Sequence, residues 1–375
     1  MTAIVPVKTK SDASAYEVRI GAGLLSSCGD WAAESLGISS TKICIISNKK
    51  VFRLYGSTVI ASLRRTGFHP FVHLIADGEH AKSFRSLEKT LKFFGENTLS
   101  RTDSVLALGG GVVGDLAGFA ASIYLRGVSY LQVPTTLLSM IDSSVGGKTG
   151  INTAFGKNLV GSFYQPKGVM IDPEVLTTLP SRETTAGFCE AVKQGAISGS
   201  KLLNATSAVL TQKPEYDSQV FSDLLVAQIR FKSSIVAADE RESPDKQDAK
   251  SRKILNFGHT FAHALEKVTD FSYLRHGEAV GWGIIFAAKL SKKLELLSSD
   301  EVELLNGVVH RAGVLPPIGH IDPSGIFEAF KYDKKNIANS LHWILLKGIG
   351  KPVIVPQSKI PSSLLRSTIR EVVRP

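Results

Sequence analysis

Gly258-His259-Thr260-Phe261-Ala262-His263-Ala264-Leu265-Glu266 sets two imidazoles four residues apart in a stretch with helical periodicity. That spacing puts His259 and His263 on one helix face. A zinc-protease helix carries Glu directly after its first His. Thr260 stands there instead, which disfavours a protease and leaves one histidine free to be a ligand while the other serves a different role. His276, in Leu274-Arg275-His276-Gly277-Glu278, and Glu190, one turn before Lys193 in an apolar helical run, add two further ligand types. Two imidazoles and a carboxylate suit an open Zn2+ site whose remaining positions take substrate oxygens. The alternative is a Glu190–Lys193 ion pair beside ordinary hydrogen-bonded histidines.

Cations gather in the same half of the sequence. Lys193, Lys232, Arg252, Lys334 and Lys335 all adjoin apolar segments, and Arg252 precedes the His259 motif by seven residues. One such residue reads as a solvated charge. Several converging on a metal suit a substrate with more than one anionic group.

A second chemistry lies earlier. The strand-like Val105–Leu108 runs into Gly109-Gly110-Gly111-Val112-Val113-Gly114-Asp115 and then a helical pattern. Gly109-x-Gly111-x-x-Gly114 fits a dinucleotide turn, in which backbone amides and a helix N-terminus face a pyrophosphate. A plain strand-to-helix turn has the same pattern. Asn48, Asp77-Gly78-Glu79 and Thr135-Thr136 also follow strand-like runs, where open α/β sheets bind ligands. Asp142 opens a further glycine-rich stretch through Gly150, followed by Gly156-Lys157-Asn158. Lys148, Lys157 and Asn158 are suited to meet phosphate, or they decorate a solvated surface turn.

These residues need elements to hold them. Ile43–Ser47, Phe71–Ile75, Ser104–Leu108, Tyr130–Val133 and Gly168–Ile171 read as buried strands, with helices over Arg85–Phe94 and Leu116–Ile123 between them. That alternation predicts an α/β domain with a mainly parallel sheet. After Pro180 the pattern turns helical over Arg182–Ser198, Ser218–Ala238, Ile254–Thr269, Gly277–Leu297 and Ser299–Ala312, with a short ribbon at Leu341–Lys347. The expected plan is an α/β domain over 1–180 and an all-α domain over 181–375.

Composition sets the limits. The chain has 375 residues, 43% hydrophobic and 21% charged, enough for two cores. No apolar run approaches the roughly 20 residues that span a bilayer, which argues against a membrane protein. The net charge of +10 is scattered, with no dense basic tract, so it reads as a small-anion site and a solvated shell rather than a nucleic-acid surface. Cys28, Cys44 and Cys189 are odd in number and far apart, as in a reduced cytoplasmic protein.

The runs GGGVVGDLAGFAAS, RGVSYLQVPTTLLSMIDSSVGGKTGIN, GKNLVGSFYQPKGVMIDPEVLTTLP, ILNFGHTFAHALE and LRHGEAV cover the chain in an order that closely resembles the 3-dehydroquinate synthase family, within the sugar phosphate cyclases. The resemblance implies an NAD-binding N-terminal α/β domain, a helical C-terminal domain, an active site between them and a homodimer. It implies Zn2+ or Co2+ held by Glu190, His259 and His276. It implies NAD contacts from Asn48, Asp77, Glu79, Lys82, Gly111, Val112, Val113, Gly114, Asp115, Thr135, Thr136 and Thr178, with Lys148 and Lys157 lining the pocket. Asp142, Lys148, Asn158, Lys193, Lys232, Arg252, Asn256, His263 and one or both of Lys334 and Lys335 would meet substrate, and Arg126 would reach the neighbouring subunit's phosphate. The implied reaction turns a phosphorylated, carboxylated sugar into a carbocycle: transient oxidation by NAD, phosphate loss, re-reduction, ring opening and aldol closure. Lys148, Lys193, Asn158, Asn256 and His263 would hold the phosphate, and Arg252 with Lys232 the carboxylate. That pair separates the expected substrate from the uncarboxylated ones of valiolone- and inosose-forming relatives. The more distant alternative is a glycerol-type alcohol dehydrogenase.

Three departures from the family pattern stand out: a longer Ser243–Ser251 link before Arg252, His80-Ala81, and Phe188-Cys189.

Overall fold

In Lys42–Asn48 every residue from Ile43 onward is buried, and a strand covered on both faces belongs inside a parallel sheet. The computed structural model describes residues 2–8, 15–37, 41–212, 214–336 and 341–374, with 331–336 as helical backbone only. The first elements are β1 (Ala3–Val7), β2 (Tyr16–Ile20), α1 (Cys28–Leu36), β3 (Lys42–Asn48), α2 (Lys49–Arg65), β4 (His69–Ile75), α3 (Phe84–Glu96), β5 (Ser104–Gly109), α4 (Gly111–Ile123), β6 (Ser129–Pro134), β7 (Lys148–Thr153), β8 (Gly156–Phe163) and β9 (Gly168–Ile171). Among the described residues seven strands form one sheet in the order β1-β2-β9-β6-β5-β3-β4. The β1–β2 pair is antiparallel and the other pairings in that sheet are parallel.

Register aligns the functional strand ends. Asn48 lies opposite Ile75, and Gly109 opposite Pro134, so the loops after β3, β4, β5 and β6 leave one edge together. Helices α3 and α4 bury Leu87, Phe94, Leu116, Ala117 and Ala120 against Cys44, Ile46, Val105 and Ala107. Each large apolar side chain sequestered this way stabilises the fold by roughly 1.5–3 kcal/mol.

Next come α5 (Ser181–Ser198), α6 (Ser200–Gln212), α7 (Gln219–Ala238), α8 (His259–Val268), α9 (His276–Lys293), α10 (Ser299–Ala312), α11 (Pro323–Asn336), β10 (His342–Leu346), β11 (Pro352–Pro356) and α12 (Ser362–Val373). The chain divides into two units: Met1–Thr178 with Glu215–Ala237, and Leu179–Pro214 with Ala238–Pro375. Helix α7, expected in the second domain, therefore groups with the first unit.

Two sequence expectations need correction. The glycine-rich stretch after Asp142 is not only a turn, because Lys148–Thr153 and Gly156–Phe163 pair as an antiparallel hairpin. Gly150 and Gly161 allow that pairing, since a Cβ on Gly161 would lie 2.0 Å from the Thr149 carbonyl. The single helix expected over Ile254–Thr269 is broken into a 3-10 turn at Arg252–Asn256 and then α8. Gly258 makes the break: it is left-handed at φ 79°, a conformation Gly adopts without strain. The second unit is helical as expected, and the ribbon expected at Leu341–Lys347 is β10, which pairs antiparallel with β11.

Candidate active site

In the first unit, the strand ends carry a connected polar network. Asn48 caps α2 by accepting from the Val51 amide at 2.9 Å, and its Nδ2 donates to Asp77 Oδ1 at 3.1 Å. Lys82, only 4% exposed, has its ammonium 2.6 Å from Asp115 Oδ2 and 3.7 Å from Glu79 Oε1, and donates to Asn158 Oδ1. Burial pushes the Asp115 carboxyl up, and Lys82 opposes that shift. Burial likewise works against the Lys82 charge, yet Asp115 and Glu79 leave its pKa raised.

The glycine turn is tightly built. A Cβ on Gly109 would lie 2.5 Å from Val113, one on Gly114 2.7 Å from Gln132 Oε1, and one on Gly111 3.0 Å from Ser143 Oγ. Gly110 supplies no side-chain cap to α4, so the first-turn amides near Gly111 and Val112 have no helical acceptor of their own. Such amides fit a pyrophosphate. Thr135 Oγ1 is buried and has no hydrogen-bond partner among the described residues, whereas Thr136 Oγ1 pairs with Ser139 Oγ at 2.8 Å. Thr178 Oγ1 lies 2.5 Å from the Tyr55 hydroxyl. This cradle fits the expected dinucleotide.

Asn158 is left-handed at φ 56°, and its amide donates to Asn152 Oδ1 at 3.0 Å. Asn152 Nδ2 in turn donates to Glu79 Oε1 at 2.8 Å, and its backbone amide donates to the Lys82 carbonyl. Asn152 was not singled out from sequence; only its place between Lys148 and Asn158 hints at it. On the same hairpin Lys148 is exposed and Lys157 half-buried. Lys232, on α7, pairs with Asp142 Oδ1 at 2.6 Å and also donates to the Asp142 carbonyl. Its ammonium thus has a carboxylate partner inside the first unit. Arg126 is exposed and left-handed at φ 66°.

In the second unit, Glu190 on α5, His259 at the start of α8 and His276 at the start of α9 offer ligand atoms within 4.8 Å of one another. Glu190 is fully buried. Its Oε1 faces His259 Nε2 at 3.7 Å and His276 Nε2 at 3.5 Å, and its Oε2 lies 2.6 Å from Lys193 Nζ. Neither oxygen accepts a hydrogen bond of good geometry among the described residues. Burial opposes the Glu190 charge, but Lys193 and the two imidazoles hold its carboxyl well below the usual range. Desolvation, with Lys193 nearby, lowers His259 to about 3 and keeps it a neutral donor. An anionic carboxylate and imidazole nitrogens converging on one point are the donor set of a divalent metal.

Close helix packing fixes this convergence. A Cβ on Gly277 would sit 2.0 Å from the Ala186 carbonyl of α5, and one on Gly283 2.0 Å from the Gly258 carbonyl. The residue after His276 and the residue before His259 are thus points of backbone contact. Arg182 also grips Glu278 through two bonds of 2.7 and 2.6 Å, tying α5 to the first turn of α9.

His263 is exposed, its ring 5.5 Å from His259 and 6.1 Å from His276, and Asn256 is exposed at the end of the 3-10 turn. Arg252 is buried. Its amide donates to Asp239 Oδ2 and its Nη1 to the Glu240 carbonyl, each at 2.8 Å. The side chains of Lys334 and Lys335 lie outside the described residues. Glu266 and Asp239 were not singled out from sequence, because a carboxylate that supports a neighbour has no spacing signature.

A structure of 2-deoxy-scyllo-inosose synthase complexed with carbaglucose-6-phosphate, NAD+ and Co2+ superposes with a TM-score of 0.84 at 25% identity, covering 98% of this chain and 99% of that one. ValA, the 2-epi-5-epi-valiolone synthase from Streptomyces hygroscopicus subsp. jinggangensis 5008 with NAD+ and Zn2+ bound, also gives 0.84 at 25% identity, covering 98% of each chain. A glycine-turn α/β unit and a helical unit with a Glu–His–His centre therefore define the class of dehydroquinate synthase-like cyclases. Residues 72–186 match the model of the 3-dehydroquinate synthase N-terminal domain and residues 187–336 that of the C-terminal domain. A curated 3-dehydroquinate synthase from Rippkaea orientalis is 38% identical over 372 residues, 98% of each chain. The chain belongs to the 3-dehydroquinate synthase family.

Proposed function

We propose that this chain is a 3-dehydroquinate synthase that converts 3-deoxy-D-arabino-heptulosonate 7-phosphate to 3-dehydroquinate and phosphate, on the shikimate route to chorismate and aromatic amino acids. The observation that carries the reading is the buried Lys193 ammonium 2.6 Å from Glu190, inside the Glu190–His259–His276 cluster. Glu190 offsets the charge of that buried cation here. Beside a metal-type donor set, the ammonium suits a substrate that brings hydroxyls and a phosphate together.

When bound, NAD+ supplies reversible hydride acceptance and Zn2+ or Co2+ supplies Lewis acidity toward substrate hydroxyls, so oxidation, phosphate loss, re-reduction, ring opening and aldol closure proceed without net redox change. Glu190, His259 and His276 hold the ion. The turn from Gly111 to Asp115 receives the cofactor pyrophosphate, with Asn48, Asp77, Glu79, Lys82, Thr135, Thr136, Lys157 and Thr178 around it. Lys193, Lys148, Asn158, Asn256 and His263 bind the phosphate, and Asp142 orients Lys232. The Arg252 guanidinium, with Lys232, is the fork for the carboxylate. Lys334, Lys335 or both complete the substrate set, and Arg126 reaches the neighbouring site of a homodimer. Cytoplasmic localisation agrees with three buried, unpaired cysteines.

Comparing kcat/KM on the heptulosonate phosphate with that on an uncarboxylated sugar phosphate tests the reading. A strong preference for the carboxylated substrate is expected. Equal turnover of both would move the chain to another cyclase of its class.

A further inference from the structure

We propose that Glu266 is a positioning residue for the metal centre: through its contact with His276 it fixes which ring nitrogen is offered to the ion, without becoming a ligand itself. This rests on the reading of Glu190, His259 and His276 as the ion-holding set. On α8, His259, His263 and Glu266 stand at i, i+4 and i+7, which puts them on one helix face. Glu266 is only 2% exposed, and both of its carboxylate oxygens lie 3.4 Å from His276 Nδ1. A neutral imidazole that donates a proton from Nδ1 presents its lone pair at Nε2, the form that binds an ion. His276 Nε2 is the atom that faces Glu190.

His259 shows the same arrangement with a different partner. Its Nδ1 lies 3.3 Å from the Phe257 carbonyl, and its Nε2 faces the same Glu190 oxygen. Both rings therefore turn Nε2 inward and are held from behind at Nδ1. Backbone holds His259, whereas a side chain holds His276, so only the second support can be removed by substitution.

A competing arrangement is a second cation, since His263, Glu266 and His276 also bring ligand atoms within 4.8 Å of one another. Ions on both nitrogens of His276 would require the ring to lose both protons. A single ion leaves one proton for the buried carboxylate to accept as a hydrogen bond.

The test is Zn2+ affinity of the full chain by chelator competition, with the number of ions bound per chain. Glu266→Ala should weaken binding about 10–100-fold, the usual cost of losing an outer-shell partner, and Glu266→Gln, which keeps a neutral acceptor, should fall between it and the parent. Melting of the metal-free proteins checks that each variant folds. Parent-like Zn2+ affinity in folded Glu266→Ala and Glu266→Gln would overturn the proposal. So would two ions per parent chain with one lost in Glu266→Ala. His259→Ala, whose loss of binding reports on the ion-holding set alone, separates a failure of that reading from a failure of this one.

Discussion

Lys82 Nζ lies 2.6 Å from Asp115 Oδ2, and the same ammonium donates to the side-chain oxygen of Asn158. With its oxygen occupied, the Asn158 side chain is left with Nδ2 as the donor it can offer elsewhere. One lysine thereby links the glycine turn to the β7–β8 hairpin. Removing one partner of a buried pair strands the other charge, at a cost of about 3–5 kcal/mol. Lys82→Met should lose stability on that scale in denaturant unfolding, and Lys82→Met with Asp115→Asn should lose clearly less than the two single losses added. Strict additivity would show that the pair is not coupled.

Arg252→Ala should act through carboxylate recognition. Truncating a buried, hydrogen-bonded charge typically costs about 2–5 kcal/mol, so kcat/KM on the carboxylated substrate should fall roughly thirtyfold or more. Steady-state kinetics returning a near-parental value would remove Arg252 from that role.

Gly277→Ala tests the packing beneath the ligands. Its methyl group would sit 2.0 Å from the Ala186 carbonyl, so α5 and α9 must separate. Overpacking of this kind costs about 1–3 kcal/mol. A lower Tm together with weaker Zn2+ binding is expected, because His276 and Glu190 ride on the two helices that move. An unchanged Tm would contradict the tight contact.

Asp239 closes the loop that leads to Arg252: it accepts from the amides of Ser243 and Arg252, each at 2.8 Å. Burial works against its charge, yet those bonds and Lys246 hold its carboxyl below the usual range. A depressed folded pKa gives stability that is present above the unfolded value near 3.9 and lost as pH falls through the folded one. The Tm gap between the parent and Asp239→Asn should be steady at neutral pH and shrink as pH drops below about 4. A gap that widened with acid would refute this assignment.

The strands were legible because β3, β5, β6 and β9 are short apolar runs between turn residues, and the glycine turn because its spacing is local. The strands β1 and β2 were missed: Pro6 interrupts the short apolar run of β1, and β2 alternates Tyr16, Val18 and Ile20 with Glu17 and Arg19 over only five residues. The Gly258 break was hidden because His259 and His263 keep helical spacing on its far side. Glu190, His259 and His276 were readable as ligand types, but their convergence depends on backbone contacts at Gly258 and Gly277. Lys232 illustrates a different limit: its charge was visible, while its pairing with Asp142 and the grouping of α7 with the first unit arise only in three dimensions.

A 3-dehydroquinate synthase is a cyclase that recycles its cofactor. Supplying 3-deoxy-D-arabino-heptulosonate 7-phosphate with Zn2+ or Co2+ and a catalytic amount of NAD+, and measuring phosphate, carbocycle and NADH together, tests that reading most directly. Phosphate and 3-dehydroquinate rising in step with no net NADH, silenced by chelation and restored by metal, is the predicted result. NADH accumulating in proportion to product, or full turnover after verified metal removal, would contradict it.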